Sequence, residues 1–392
     1  MNYSLNLLLT VCFLLASNVT YAQDISKPEN SIRIASYNVA LNRRGKGELE
    51  KELESGNSSQ AKAIAEVIQI VRPDILLINE LDYEGGKTAQ LFLEKYLSVA
   101  QNKSKPMKYE FVFSGPVNTG VDSGLDYDNN GKTGEPNDAL GFGYFPGQYG
   151  MAVYSNFPID DKGVRTFQRF LWKDMPGALL PTKKDGSSYY SDQVVAQFRL
   201  SSKSHWDLPI KVGDKQLHFL VCHPTPPVFD GPEDKNGCRN HDEIRMWSDY
   251  VAGKSDYLYD DNGDKGGLKE GEHFVIAGDL NADPVDGDSR EGAMEQLLKN
   301  KFVNGSVEPK STGGKHWSEK QGGANRRHKG DPAMDTGDFN DGRVGNMRID
   351  YVVPSKTLKI LNSGVFWPKP DEKGASVAKR SDHRLVWIDF EK

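Results

Sequence analysis

The sequence is poor in cysteine, lacks an excess of positive charge and contains only one long apolar run. Three of its 392 residues are Cys, and Cys222 and Cys238 do not have the multiple-ligand spacing of a zinc site. The net charge of −6 provides no overall basic field for nucleic acid, although it leaves room for a local basic groove. Beyond the N-terminal segment, no apolar run approaches membrane-spanning length. The composition therefore predicts a soluble protein without a zinc-binding domain.

The one long apolar run lies at the N-terminus. Leu7 to Ala16 form an apolar core, and Thr20-Tyr21-Ala22 places small residues at the positions that signal peptidase inspects. No Lys or Arg precedes this core, which is atypical of an export signal. We nevertheless predict that residues 1–22 are a signal peptide and that the protein is secreted or periplasmic, without stable membrane association. In such a compartment a disulfide between Cys222 and Cys238 and two free thiols are both open alternatives.

Apolar periodicity predicts alternating strands and helices in the first part of the chain and mainly strands in the second. Predicted strands cover 31–37, 75–79, 150–155, 193–200, 216–222, 274–283, 349–353, 361–366 and 385–390, and predicted helices cover 64–71, 88–97, 239–251 and 293–298. No linker and no repeat divides the chain. We therefore predict a single domain over 31–392 with an α/β fold, a four-layer sandwich of two packed mixed β-sheets flanked by helices.

Two glycine-rich insertions interrupt these elements, near 114–146 and 304–347. In the first, the run from Asp126 to Gly131 is similar to the start of a calcium loop, but Asn137 stands where a bidentate Glu is expected. A solvated loop is therefore favoured over a calcium site there, and the same holds for the acidic run 260–264. The second insertion is locally basic at 326–329.

A buried strand over 274–283 carries the clearest sign of chemistry. Four apolar or small residues run into Gly278, and Asp279 and Asn281 follow before Pro284 ends the ladder. Residues two apart in a strand point the same way, so both polar side chains can address one substrate atom. A strand-to-turn exit with the same residue types is the plain alternative.

Other polar residues stand at the ends of predicted strands. Open α/β sheets place their sites at such strand ends, so the whole set is expected to converge. It comprises Asn38, Glu80, His223, Asp279, Asn281, Asp350, Asp382 and His383.

These residues lie in motifs that resemble the endonuclease/exonuclease/phosphatase superfamily, most closely a bacterial exported subgroup. The resemblance covers residues 31–392 through seven short motifs in the family's order. They are Ser36-Tyr37-Asn38, Ile78-Asn79-Glu80, Gly150 to Ser155, Cys222-His223-Pro224, Gly278-Asp279-Leu280-Asn281, Ile349-Asp350-Tyr351 and Ser381-Asp382-His383.

The resemblance implies a divalent-metal site. Glu80 would ligate the metal, with Asn38 and Asp382 nearby as ligands or outer partners. Hard oxygen donors of this kind suit Mg²⁺, with Mn²⁺ or Ca²⁺ as alternatives.

The resemblance also implies the reacting groups. Asp279 would align or deprotonate the attacking water, and His383, oriented by Asp350, would contact the phosphate or act as a general acid or base. Asn281 and His223 would donate hydrogen bonds to the phosphoryl oxygens.

Three features depart from the resemblance or complicate it. Asn79 stands where the family usually has Gln before its glutamate. Residues 337–340 spell the asparagine motif more literally than 278–281, but they follow no apolar strand, so we assign the role to Asp279 and Asn281. The segment after His223 is unusual, and its candidate phosphate contacts are Arg239, His241 and Arg245, for each of which a surface position is equally open.

The predicted function is a secreted, divalent-metal-dependent phosphoester hydrolase, acting as a phosphatase or a phosphodiesterase. The partner is a phosphoester substrate, and the chain is expected to be a monomer. An extracellular nuclease, with DNA or RNA as the substrate, is the main alternative, supported by the basic residues at 326–329. A phospholipid phosphodiesterase and a non-catalytic binding module are less favoured.

Overall fold

A computed structural model describes residues 24–392, so the predicted signal peptide lies outside the described residues. Within them the chain forms thirteen strands and seven α-helices. The strands are β1 (Ser31–Leu41), β2 (Ile75–Leu81), β3 (Phe111–Phe113), β4 (Met151–Ser155), β5 (Arg165–Thr166), β6 (His205–Val212), β7 (Lys215–Cys222), β8 (His273–Asp279), β9 (Gly337–Asp338), β10 (Asn346–Met347), β11 (Asp350–Pro354), β12 (Ile360–Val365) and β13 (Val386–Glu391). The helices are α1 (Glu48–Glu54), α2 (Ser59–Val71), α3 (Lys87–Phe92), α4 (Asp192–Gln197), α5 (Lys235–Val251), α6 (Glu295–Leu298) and α7 (Gly313–Gln321).

The strands build two large sheets and one short ribbon. The first sheet has six strands in the order β12-β13-β1-β2-β4-β3, and the second has five in the order β11-β8-β7-β6-β5. Each large sheet is mixed, because β1 and β2 run parallel in the first and β7 and β8 run parallel in the second, whereas the other pairs are antiparallel. The ribbon pairs β9 with β10.

The two sheets pack face to face and are covered outside by helices. Alternate strand residues such as Ile34, Leu77, Phe219 and Val275 form the core between the sheets. The opposite face of the first sheet packs on α1, α2 and α3, and that of the second packs on α4, α5 and α6. These four layers confirm the predicted α/β sandwich.

The structure differs from the predicted elements in the following places. The strand predicted at 193–200 is wrong, because α4 forms there, with the Ser191 hydroxyl accepting a hydrogen bond from Val194 N at its start. Strand β6 was not predicted. The insertion at 304–347 contains α7 and the β9–β10 ribbon as well as loops.

Cys222 on β7 and Cys238 on α5 are both buried free thiols, so the structure shows no disulfide between them. Among residues 24–392, no helix combines the length and the apolar character needed to cross a bilayer.

Candidate active site

Strand alternation brings the predicted polar residues together at one end of the inter-sheet space. On β1, Ile32 and Ile34 face the second sheet. Asn38 is an even number of residues further along the strand, so its side chain lies on the same face. On β8, Val275 and Ala277 face the first sheet, and Asp279 continues that face. The same parity holds for His223 after β7 and for Asp350 at the start of β11, where Asp350 pairs with Asp279 across the ladder.

Glu80 reaches the same space by a different route. Strand parity alone would turn it toward the helices, but its φ of 59° places the residue in the left-handed region and redirects the side chain. Its Oε1 accepts a hydrogen bond from Asn38 Nδ2 (3.0 Å), and its Oε2 accepts one from Asn42 Nδ2 (2.8 Å). The conformational cost at Glu80 is therefore offset by two hydrogen bonds that aim the carboxylate at the cavity.

Asp279 is the centre of the constellation. Its Oδ2 accepts a hydrogen bond from Asn38 Nδ2 (3.0 Å) and lies 3.4 Å from His223 Nε2 and 3.7 Å from His383 Nε2. Its backbone N–H donates to Asn79 Oδ1 (3.1 Å), which joins the two sheets at this point. The residue that replaces the family's usual Gln thus holds Asp279 in place.

Gly278 allows the close approach of β7 to the end of β8. A Cβ at this position would lie 2.1 Å from the carbonyl oxygen of Cys222, so any side chain would push the strands apart. His223 and Asp279, which follow these two positions, are kept adjacent by this contact.

His383 lies between two carboxylates. Its Nδ1 is 2.9 Å from Asp350 Oδ2, and its Nε2 faces Asp279. The backbone N–H of Asp350 donates to Thr336 Oγ1 (2.9 Å), and the ring edge of Phe339 packs on the imidazole with centroids 5.6 Å apart. These contacts fix the plane of the imidazole ring.

The charges of Asp279, Asp350 and His383 shift the pKa values of Asp279 and His383 in opposite directions. Burial opposes the charge on His383, but the carboxylates of Asp350 and Asp279 raise its pKa to about 10. Burial also opposes the charge on Asp279, yet the charge of His383 and the contacts of His223 and Asn38 hold its pKa below the usual range. At neutral pH the site therefore presents an ionised Asp279 beside an imidazolium.

Asp335, next to Thr336, gives a prediction about stability. Burial and the charges of Asp283, Asp286 and Asp331 raise the pKa of Asp335 from 3.8 to about 8. Between these values the folded chain keeps a proton that the unfolded chain releases, so stability falls as pH rises, by about 1.4 kcal/mol per pH unit. We expect Asp335→Asn to raise Tm at pH 8 and to leave it nearly unchanged at pH 4. Parallel Tm curves for the two proteins across this range would contradict the assignment.

The donor set at Glu80 fits a divalent cation. Oxygen or nitrogen atoms of Glu80, His223 and Asp279 lie within 4.8 Å of one another, and carboxylate oxygens are the donors that Mg²⁺ prefers. Asn38 turns its Nδ2 toward both carboxylates, while its Oδ1 accepts from Ala40 N (3.1 Å). In this orientation Asn38 holds the carboxylates of Glu80 and Asp279, and its own oxygen is turned to the backbone of Ala40.

A cavity of about 890 Å³ opens over these groups. Asp382 lines it and is exposed, so this predicted ligand lies within the same space as Glu80. Phe229, which is 90% exposed, and Phe142 also border the cavity. These exposed aromatic side chains were not predicted from the sequence.

Of the three candidate phosphate contacts after His223, one lines the cavity and two do not. Arg239 lines the cavity, but its Nε and Nη2 donate to backbone carbonyls of Leu200, Leu140 and Arg199. His241 and Arg245 lie away from the cavity on α5. His241 Nδ1 is 3.3 Å from Asp242 Oδ1, and the Arg245 guanidinium donates to Asp249 and to the carbonyls of Pro176 and Gly177.

Asn281 and the literal copy of its motif also have defined places. Strand β8 ends at Asp279 rather than just before Pro284, and Asn281 has a φ of 51°. Its Nδ2 donates to Pro224 O (3.1 Å), and the residue lines the cavity. In the literal copy, Asp338 accepts hydrogen bonds from Arg384 and Gln321. Asp338 is thus occupied in holding the chain beside His383.

The acidic insertion forms a second group of carboxylates. Oxygen atoms of Asp126, Asp128 and Asp138 lie within 4.8 Å of one another. Asn137, at the position of the missing Glu, donates to Asp128 Oδ2 (3.0 Å). Asp138 is buried and accepts hydrogen bonds from the backbone N–H groups of Tyr127 and Glu135. The loop is thus tied together by its own hydrogen bonds.

Sequence reasoning missed Lys203 and Arg343 on the cavity wall and did not place Arg327 there. Lys203, Arg327 and Arg343 all line it, and Arg327 and Arg343 are exposed. Arg327 belongs to the basic run that the sequence analysis identified. Lys203 lies two residues before β6, and His205 on β6 pairs with Cys222, so recognition of that strand would have placed Lys203 beside His223.

Comparisons with curated proteins and with solved structures give different results. A search of curated proteins found no match. Among solved structures, an endonuclease/exonuclease/phosphatase from Beutenbergia cavernae DSM 12333 is 17% identical, covering 92% of this chain and 72% of its own, with a TM-score of 0.48. A family protein from Leptotrichia buccalis C-1013-b is 15% identical, with 92% and 100% covered and a TM-score of 0.47. A beta toxin variant from Staphylococcus aureus with bound magnesium ions is 14% identical, with 92% and 100% covered and a TM-score of 0.44.

The family of the chain is shown by its match to a family model. The model described as the Endonuclease/Exonuclease/phosphatase family covers residues 35–383, which include the constellation from Asn38 to His383. The chain therefore belongs to the endonuclease/exonuclease/phosphatase family, whose members are metal-dependent phosphoester hydrolases.

Proposed function

We propose that this enzyme is a secreted or periplasmic phosphatase or phosphodiesterase in which Asp279 activates water and His383 contacts the phosphate. The observation that carries the proposal is the position of the ionised Asp279 carboxylate, 3.7 Å from the His383 imidazolium and 3.4 Å from His223. A base and a charged donor at that separation can address the attacking water and a phosphoryl oxygen of one phosphate.

The residues divide the reaction between them. As the oxygen of the attacking water bonds to phosphorus, Asp279 accepts a proton from that water. The bond from phosphorus to the ester oxygen breaks on the opposite side. His383, oriented by Asp350, and His223 donate to oxygens that gain negative charge. Asn281 lines the same space and is the further amide donor of the proposal.

A divalent cation is part of the proposed site. Glu80 would hold it, with Asp382 on the cavity wall and Asn38 fixing the Glu80 carboxylate, and Mg²⁺ is the proposed ion. When bound, it would supply positive charge against the phosphoryl oxygens.

Metal removal tests the proposal. We expect the purified protein to hydrolyse an activated phosphodiester, bis(p-nitrophenyl) phosphate, to lose that activity in EDTA, and to regain it with excess Mg²⁺. Release of p-nitrophenolate measures the rate, and Mn²⁺ and Ca²⁺ are compared at equal free concentration. Full activity in EDTA would contradict the proposed mechanism.

A nuclease is the second candidate, and the cavity wall provides its support. Arg327 and Arg343 are exposed there, and within residues 24–392 neither guanidinium has a hydrogen-bond or ion-pair partner. Unpaired cations beside a phosphoester site attract a polyanion. Plasmid DNA, RNA, sphingomyelin and a phosphomonoester panel incubated in parallel discriminate the substrate classes. Monoester turnover without nicking at low salt would exclude the nuclease.

A further inference from the structure

Lys203 is a buried cation without a partner. Lys203 is only 7% exposed, and it lines the cavity over the proposed active site. Within residues 24–392, its ammonium donates no hydrogen bond, forms no ion pair and lies over no aromatic ring. An ammonium on a cavity wall that has no carboxylate partner can donate charge-assisted hydrogen bonds to an anion that enters the cavity.

The surrounding chain holds Lys203 in place, but within residues 24–392 no carboxylate forms an ion pair with it. Glu243, the nearby carboxylate on α5, accepts Ser202 N with Oε1 and Thr225 N with Oε2, both at 2.6 Å. The backbone oxygen of Lys203 accepts from Asn118 N (2.9 Å). Glu243 therefore ties the segment before β6 to the segment after His223, and its oxygens are engaged by backbone groups.

The reacting groups are within electrostatic reach of Lys203. Burial lowers its pKa, while the charges of Glu243, Glu80 and Asp279 oppose that shift. Arg239 is also buried on this wall, and its Nε and Nη2 donate to backbone carbonyls. The ammonium of Lys203 donates no hydrogen bond within residues 24–392, so its donors remain available to a ligand in the cavity.

We propose that Lys203 binds a non-bridging phosphate oxygen of the substrate and makes the site favour a dianionic phosphomonoester over a monoanionic phosphodiester. This inference rests on the proposed function. A monoester carries one more negative charge at the phosphate than a diester, and a charge-assisted hydrogen bond from an otherwise unpaired ammonium is stronger to the more highly charged group. Lys203 is therefore a residue that determines specificity.

The ratio of two activities tests the proposal. We expect Lys203→Met to lower kcat/KM for p-nitrophenyl phosphate about 10- to 100-fold more than kcat/KM for bis(p-nitrophenyl) phosphate. Met replaces the buried chain at similar length without a charge, so Tm should stay equal or rise. The same substitution at Lys211, an exposed residue at the far end of β6, should leave the ratio unchanged.

Each outcome separates this inference from the function on which it rests. A larger loss of kcat/KM toward the monoester than toward the diester in Lys203→Met, with the Lys211→Met ratio unchanged, supports it. An equal loss toward both substrates, or no loss, overturns the specificity role while leaving the hydrolase intact. Absence of hydrolysis of either ester by the unmodified, Mg²⁺-loaded protein overturns both.

Discussion

Asp279→Asn is expected to lower kcat for phosphodiester hydrolysis about 10³-fold or more. The substitution keeps the size of the side chain but removes the negative charge that faces His383 Nε2 at 3.7 Å and that we propose accepts the proton of water. It also leaves Asn38 Nδ2 with one carboxylate partner, Glu80, instead of two. Initial rates at saturating substrate and Mg²⁺ measure the effect.

The matched control for this prediction is Asp207→Asn. Asp207 is an equally buried carboxylate on β6 of the same sheet, where it accepts from Tyr250 Oη (2.7 Å) and contacts His218 Nδ1 (2.8 Å). It lies outside the cavity, so its loss should reduce Tm without a comparable change in kcat. A decrease of kcat of only about tenfold or less in Asp279→Asn would rule out the general-base assignment.

His383→Ala is expected to lower kcat about 10²- to 10⁴-fold. The variant removes the imidazolium whose pKa of about 10 keeps it charged at neutral pH, and it leaves Asp350 buried without its 2.9 Å partner. His218→Ala breaks a similar histidine–carboxylate contact away from the cavity and serves as the control for stability loss.

A double-mutant cycle tells how Asp350 acts. If Asp350 works only through His383, Asp350→Asn lowers kcat in the unmodified protein but adds little in the His383→Ala background. Fully additive effects would show an independent role for Asp350. The cycle therefore separates a residue that orients the imidazole from one that contacts substrate.

The fold and the centre of the site were predictable because both depend on the alternation of side chains between the two faces of a strand. Polar residues at the ends of buried strands had to share the inter-sheet face, and Asn38, His223, Asp279 and Asp350 do so. Glu80 was identified by its motif, but the left-handed backbone that turns it into the cavity has no signal in a single sequence.

Lys203 was missed because β6 was missed. Pro209 lies inside that strand, and a proline argues against a strand because it cannot donate to the ladder. Here β5 pairs only with Trp206 and Asp207, and residues 158–160 lie beside the rest of β6, where Asp160 N donates to Pro209 O (2.8 Å). Pro209 therefore takes part in the sheet through its carbonyl oxygen. The buried Asp207 also breaks the apolar pattern, since its partners His218 and Tyr250 come from elsewhere in the chain.

The hydrogen bond from Asp279 N to Asn79 Oδ1 has a consequence for folding. It crosses between the two sheets, and Ser381 Oγ donates to Asn38 O (2.8 Å) across 343 positions of sequence. Contacts of such long range form late, after the entropy of closing long loops has been overcome. Either sheet alone would therefore be catalytically silent, and hydrolysis would begin only when the last long-range contacts have closed.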